Sequence, residues 1–226
     1  MARSLGKSVL RTANTWPVPD MRPVAFYVSS RRGANPNRGD GLLTRTPPAA
    51  AGKDTLTFDP DDPFPSRGGT ICGTGNPKDL PGIFDQADLE ARSDLLVYST
   101  PPLSASQAIA GPVRATLSIS SDAKDTDITA KVIDVDPDGK AWNVVDGVAR
   151  VRYAYQIEVN IASIAYQFKA GHRVRLHLSS SNFPQWERNS NTGGNICDET
   201  TYMVARNAVH FGPERPAALI LPVVPK

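Results

Sequence analysis

The chain has 226 residues, of which 40% are hydrophobic and 21% charged, so it is long enough to bury one sizeable core. Its formal net charge of +2 is close to neutral and gives no electrostatic reason to expect a nucleic-acid partner. No apolar run approaches the length of a membrane-spanning helix, so we expect no membrane partner.

The first hundred residues are predicted to be irregular loops and short strands. Twenty prolines and 17 glycines favour turns over helices, because proline neither continues a helix nor donates to a central strand ladder. Short strands are expected at about 24–29, around 56–58 and at 95–99, and the one helical prediction is about Asp85–Arg92. The glycine-rich stretch at 68–77 lacks the Lys-Ser/Thr pair of a phosphate-binding loop and is interpreted as a plain loop.

The main strands are predicted from about residue 111 onward. Apolar and polar residues alternate at 113–120, which indicates a strand with one buried face. The same pattern at 172–178 places His172, Val174, Leu176 and Leu178 on one face, with Arg173, Arg175 and His177 turned outward or toward a second layer. Many short strands with little helix predict an all-β sandwich. With no repeat and no linker, we expect a single domain over residues 1–226, in which 1–100 wraps the main strands of 111–226.

Cys72 and Cys197 lie far apart in the sequence and have no metal-ligand spacing. They are interpreted as structural thiols in a reducing compartment, with a disulfide left open, and the start of the sequence shows no apolar secretory segment. We therefore expect a cytoplasmic protein. A separate irregularity is the run Tyr153-Ala154-Tyr155, which joins two predicted strands without a turn residue and suggests that a loop is absent there.

Two acidic stretches are candidate metal sites. Asp134, Asp136, Asp138 and Gly139 match the first half of a calcium loop, but its twelfth position is Val145 instead of a bidentate glutamate. A hairpin turn between two strands is the favoured interpretation. The carboxylates of "SDAKDTD" (121–127) are interpreted as a solvated turn, and we expect no metal and no cofactor.

The three histidines do not suggest a catalytic site. His172 and His177 lie on opposite faces of one strand, so one is expected to be buried and hydrogen-bonded and the other exposed. His210 has no evident partner, and the chain has no G-x-S-x-G motif. We therefore predict no catalytic residue in this chain.

The stretch "SSSNFPQWERNSNTGG" is the candidate site. It combines two aromatic residues, an arginine and asparagines, and the residues of interest are Asn182, Phe183, Trp186, Arg188 and Asn189. Aromatic faces with polar neighbours are typical of sugar-binding loops, and Trp and Arg concentrate in protein interfaces. A loop that packs its aromatics on its own sandwich is the third interpretation, and the residues alone leave all three open.

Several segments in a fixed order carry a family resemblance: "NTWPVPD", "LTFDPDDPFPSRGGT", "DQADLEARSDLLVYST", "GPVRATLSISSDAKDTDITAKVIDVDPDGKAWNVVDGVARVRY", "GHRVRLHLSSSNFPQWERNSNTGG" and "GPERPAALILPVVP". Together they resemble the C-terminal domain of the X-Pro dipeptidyl-peptidase, cocaine esterase and glutaryl-7-aminocephalosporanic acid acylase family of serine hydrolases. The likeness covers most of the chain.

The resemblance implies a jelly-roll β-sandwich similar to galactose-binding domains. The family's catalytic Ser, Asp and His belong to an α/β-hydrolase domain, so none is carried over to a position in this chain. The implied role is a non-catalytic accessory domain that buttresses an acyl or peptidyl hydrolase and shapes its active-site entrance, with residues 182–194 as an interface loop. Its partner would be the α/β-hydrolase domain, of the same parent chain or a separate one, and a homo-oligomer is possible. The alternative is a free-standing carbohydrate-binding module.

Overall fold

The computed structural model of the chain describes residues 12–35, 39–71, 75–76, 79–152, 156–195 and 198–225. The predictions made for Cys72, for Cys197 and for the junction at 153–155 lie outside these residues. Within the described residues, no helix has the length and apolar character needed to cross a membrane.

The regular structure is almost entirely β-strand. The described residues form eleven strands and one short 3-10 turn, Leu89–Ala91. In chain order the strands are β1 (Arg22–Ser29), β2 (Leu42–Thr44), β3 (Gly52–Phe58), β4 (Leu96–Ser99), β5 (Gln107–Ser121), β6 (Thr126–Val135), β7 (Ala141–Val151), β8 (Gln156–Phe168), β9 (Arg173–Ser179), β10 (Ala205–Phe211) and β11 (Ala218–Val224). The four strands before residue 100 are short, and the all-β prediction is confirmed.

The strands form two layers. In the first layer β8 pairs along one edge of β5, while β11 and β10 pair in succession along the other edge. Strand β10 continues to β3, and β11 continues to β1. The second layer has the order β4-β9-β6-β7. Strand β2 links the layers, since it pairs with β1 and, through Leu42 and Ser99, with β4. The arrangement fits a β-sandwich, whereas the jelly-roll strand order stays a prediction.

The main core lies between the two layers. Strand β5 contributes every second side chain to it: Val113, Ala115, Leu117 and Ile119. Strand β9 contributes three fully buried side chains, Val174, Leu176 and Leu178. A slip of one residue would have turned these side chains away from the core, so the register predicted from the two-residue period is confirmed.

The outer face of the second layer is covered by loops. Every residue of β6 is buried, although only alternate side chains such as Ile128 and Val132 belong to the main core. The other face of β6 carries Lys131, whose ammonium contacts side chains from the segments 64–71, 82–92 and 180–191. We call these three segments the loop layer. They give one sheet two buried faces, and they carry the candidate site.

The predicted helix at Asp85–Arg92 is wrong, because only Leu89–Ala91 form a single 3-10 turn. The first two residues of the segment are engaged by β7. The carboxylate of Asp85 accepts the backbone N–H of Ala141 at 2.9 Å, and the backbone N–H of Gln86 donates to the carbonyl of Ala141 at 2.7 Å. These tertiary hydrogen bonds leave too few free residues for a helix, whose nucleation is costly.

Candidate domain interface

The loop at 182–194 is held at its start by Asn182, which is buried. The side-chain amide of Asn182 donates to the carboxylate of Asp146 at 3.1 Å and to Oε1 of Gln185 at 3.2 Å. Its side-chain oxygen accepts the ammonium of Lys131 at 3.3 Å. Asn182 therefore ties the loop to β6 and β7 and is turned away from solvent.

Asn189 holds the loop a second time, near the start of β6. Its buried amide donates to the carboxylates of Asp125 and Asp127. Arg150 lies 3.0 Å from the carboxylate of Asp127, and Arg152 lies 2.6 Å from that of Asp125. The prediction of a solvated turn is wrong for these two aspartates, because their carboxylates are covered by Asn189, by Arg150 of β7 and by Arg152 just after it.

Trp186 lines an open groove of about 470 Å³ between the loop layer and β7. Its side chain is half-buried, and its backbone N–H donates to the carbonyl of Asn182 at 3.2 Å. The groove is also lined by Ile83, which is 46% exposed, and by the segments 143–148 and 160–162. An exposed isoleucine and a partly buried tryptophan beside one groove are typical of a protein-docking surface.

A β-bridge between two glycines borders this groove. Gly69 and Gly82 exchange backbone hydrogen bonds of 2.7 and 3.0 Å, which hold segment 68–71 against segment 82–84. Gly68 precedes this pair with a left-handed φ of +71°, and a Cβ atom on it would lie 2.4 Å from the carbonyl oxygen of Gly82. Gly69 and Thr70, at the start of the glycine-rich stretch, therefore form part of the groove wall, a role that its composition did not indicate.

Arg188 and Phe183 lie on a neighbouring part of the loop. The guanidinium of Arg188 stands 4.5 Å from the ring centre of Tyr202 and 5.8 Å from that of Phe183. It also donates to the carbonyl of Pro60 at 2.7 Å. The backbone N–H of Phe183 donates to the carbonyl of Phe64 at 3.0 Å, which joins two segments of the loop layer. The side chains of Arg188 and Phe183 thus contact residues of this chain, and Trp186 is the predicted site residue that lines the groove.

A buried ammonium group lies beneath the loop layer. Lys131 is 5% exposed, and its Nζ donates to the side-chain oxygens of Gln86 and Asn182, each at 3.3 Å. Burial lowers the pKa of Lys131 to about 8. Attraction to the Asp146 carboxylate raises this pKa in part, and repulsion from Arg67 lowers it further. Lys131 is not among the site residues predicted from the sequence. The available signal was a lysine in the middle of the apolar run "ITAKVIDV".

His172 and His177 are both buried and both hydrogen-bonded to carboxylates. Nδ1 of His172 lies 2.9 Å from Asp134, and Nε2 of His177 lies 2.8 Å from Glu90. The prediction that one of the two is exposed is wrong, because the loop layer covers the outer face of β9. Burial lowers the pKa of His177 despite its bond to Glu90.

His210 hydrogen-bonds the hydroxyl of Ser120 at 2.8 Å. Partial burial, followed by the nearby cations Arg215 and Lys53, lowers the pKa of His210. A hydrolase triad also needs an acid that orients the imidazole. In the part of the chain that the structure describes, no carboxylate is hydrogen-bonded to His210, and the charged groups that act on it are cations.

Residues 136–140 form the tight turn between β6 and β7, so the hairpin interpretation of the acidic stretch is confirmed. The carboxylate of Asp136 accepts the backbone N–H groups of Asp138 and Lys140, each at 3.0 Å. Gly139 takes a left-handed φ of +86°. Asp134 is directed elsewhere, since it binds His172 within the sheet.

Known proteins share this fold and sequence. The family model described as the X-Pro dipeptidyl-peptidase C-terminal non-catalytic domain matches residues 2–220. Cocaine esterase from Rhodococcus sp. (strain MB1 Bresler) is 37% identical over 236 residues, and the match covers 97% of this chain and 41% of the esterase.

Two solved structures are also similar. An aminopeptidase from a marine sediment archaeon, Thaumarchaeota archaeon, matches with a TM-score of 0.77 and 26% identity, over 94% of this chain and 38% of that one. An α-amino acid ester hydrolase matches with a TM-score of 0.73 and 27% identity, over 88% of this chain and 36% of that one. The chain therefore spans less than half the length of each of these relatives.

Proposed function

The chain belongs to the family of X-Pro dipeptidyl-peptidase C-terminal non-catalytic domains, and from this premise we propose that it docks on the α/β-hydrolase domain of a serine hydrolase. The parent enzyme would cleave ester or amide bonds. An esterase, an aminopeptidase and an amino acid ester hydrolase are among its relatives, which supports an acyl or peptidyl hydrolase, the acylase type included. We also propose that this domain is similar to galactose-binding domains and that the protein is cytoplasmic.

The groove beside Trp186 carries this proposal. Ile83 lines the groove and is 46% exposed. Exposed apolar side chains beside a groove are a recurrent feature of surfaces that a partner covers. Relatives more than twice as long as this chain contain the residues that such a partner needs. Residues 182–194 would then act as the interface loop, with Trp186 as the contact residue and Asn182 and Asn189 as its internal supports.

Docking is tested with Trp186→Ala and the purified α/β-hydrolase domain of the parent enzyme. We expect the variant to keep the fold of the isolated chain and to bind that domain about 30-fold more weakly or worse, since a buried interface tryptophan contributes about 2 kcal/mol or more. Trp142→Ala, which makes the same deletion at the start of β7, serves as the control and should bind as the unmodified chain does. Equal affinity of all three proteins would exclude the groove as the docking site.

The carbohydrate-binding alternative is tested on the isolated chain. Tryptophan fluorescence is recorded during titration with a panel of mono- and oligosaccharides. Saturable binding that disappears in Trp186→Ala, together with unchanged docking, would replace the interface assignment with a sugar-binding one.

A further inference from the structure

We propose that Lys131 is the positioning residue of this docking surface: its amino group links the two segments that carry Ile83 and Trp186, and the cost of burying its positive charge sets how readily those segments open. The inference rests on the proposed function, because it concerns the surface assigned to docking. It adds a regulatory feature to that surface, because the stability of the closed loop layer then depends on the charge of one side chain.

The two acceptors of Lys131 come one from each segment. Gln86 lies three residues after Ile83, and Asn182 lies four residues before Trp186. Gln86 is fully buried, and its amide donates to the carbonyl of Arg67 at 3.0 Å, which extends the connection to segment 64–71. A single side chain of β6 therefore links all three segments of the loop layer.

The ammonium is poorly compensated for its burial. Both of its acceptors are neutral amide oxygens at 3.3 Å, longer than usual for a charged donor. Among the described residues no carboxylate lies within ion-pair distance of Nζ. Removing a charge from water without close pairing is costly. The charged and titratable groups around it are Asp146 of β7, Arg67 of the loop layer, His177 and Arg175 of β9, and Glu90, which binds the last two.

This cost links the loop layer to pH. When the layer opens, water reaches Lys131 and its pKa returns from about 8 toward the ordinary value of 10.5. The open form therefore binds the proton more tightly than the closed form, and protonation favours opening. As pH rises through 8, the closed layer gains stability, and this gain is complete above 10.5. The population of the open form should fall about tenfold between pH 7 and pH 9.

Hydrogen exchange on the full 226-residue chain tests the inference. The probes are the backbone amides of Ser66, Gln86 and Phe183, each of which donates a hydrogen bond inside or beneath the loop layer. We expect their protection factors, corrected for intrinsic exchange, to rise about tenfold from pH 7 to pH 9. Throughout, these amides should be less protected than Leu117 and Val159 of the main core.

Lys131→Met removes the charge at nearly constant volume, and its protection factors should not depend on pH. Lys169→Met makes the same change at an exposed position and should follow the unmodified chain. Protection that is flat between pH 7 and pH 9 in the unmodified chain would overturn the inference, and this comparison decides the matter even if Lys131→Met does not fold. A pH dependence that persists in folded Lys131→Met would overturn it as well. No partner is needed, so failure of docking and failure of this inference are distinguishable.

Discussion

Strand β9 shows how single residues on one backbone enter two different environments. Leu176 is fully buried in the main core. Its neighbours Arg175 and His177 point the other way and both bind the carboxylate of Glu90, which stands on the 3-10 turn of the loop layer. Truncating either neighbour would leave a partly buried carboxylate with one partner fewer. Arg175 is therefore a structural residue here, although a sequence pattern places it on the polar face of a strand.

Leu176→Ala should lower the free energy of unfolding by about 2–5 kcal/mol, because it deletes fully buried methyl groups and leaves a cavity. Leu80→Ala makes the same chemical change at a side chain that is 53% exposed and should alter stability by less than about 0.5 kcal/mol in the isolated chain. Urea unfolding of both variants measures the difference. Similar losses at the two positions would contradict the burial of β9.

At the scale of elements, two turns with left-handed glycines differ in what surrounds them. Gly139 closes the β6–β7 hairpin, and a Cβ atom there would meet nothing within 4 Å. Gly68 lies in the groove wall, where a Cβ atom would collide with the carbonyl of Gly82. The first glycine is needed for backbone conformation alone, whereas the second is needed for conformation and for close approach of two segments.

Alanine substitutions separate these two requirements. Gly139→Ala should cost about 1–2 kcal/mol, the penalty of a left-handed L-residue. Gly68→Ala carries the same penalty and also forces segment 68–71 away from segment 82–84, so it should cost more and should change the fluorescence of Trp186. Thermal unfolding and emission spectra of the two variants provide the comparison. A Gly68→Ala protein with the stability of Gly139→Ala and an unchanged spectrum would contradict the close contact.

At the scale of the whole molecule, the domain has an exposed apolar surface that is separate from its hydrophobic core. The main core is complete between the two layers, and the loop layer covers the second buried face. The groove beside Trp186 lies outside both. The match spans 41% of the related esterase, and the proposed docking on a catalytic domain would cover this surface.

The 226-residue chain should not hydrolyse p-nitrophenyl acetate above background. It belongs to a non-catalytic domain family, and its described Ser–His contact, Ser120 with His210, has cations around the imidazole instead of an orienting carboxylate. The measurement is the rate of nitrophenolate release, with heat-unfolded chain as the control. Turnover that a serine-directed fluorophosphonate abolishes, with the label recovered on this chain, would refute the expectation.

The sequence by itself indicated most of the strands, β2 and β10 excepted, and the core-facing sides of β5 and β9. Alternation placed Leu117 and Leu176 in the core, and the aspartates and glycine of 136–139 predicted the hairpin between β6 and β7. These features depend on neighbours along the chain, through the two-residue period of a strand and the φ preference of a turn. A local sequence pattern is therefore sufficient to predict them. The order of several segments also indicated the family, and with it the accessory role.

Only the tertiary structure decided what covers the second layer. Lys131 meets acceptors 45 and 51 residues away, and Asn189 meets Asp125 at a separation of 64 residues. Such distant contacts explain why the start of the segment Asp85–Arg92 is hydrogen-bonded to β7 instead of forming a helix. They also explain why His177 is buried. A local pattern shows that a strand has a polar face, but it does not show whether water or another segment satisfies that face. The answer depends on the whole chain, because the hydrogen-bond partners of these side chains come from loops that are distant in the sequence.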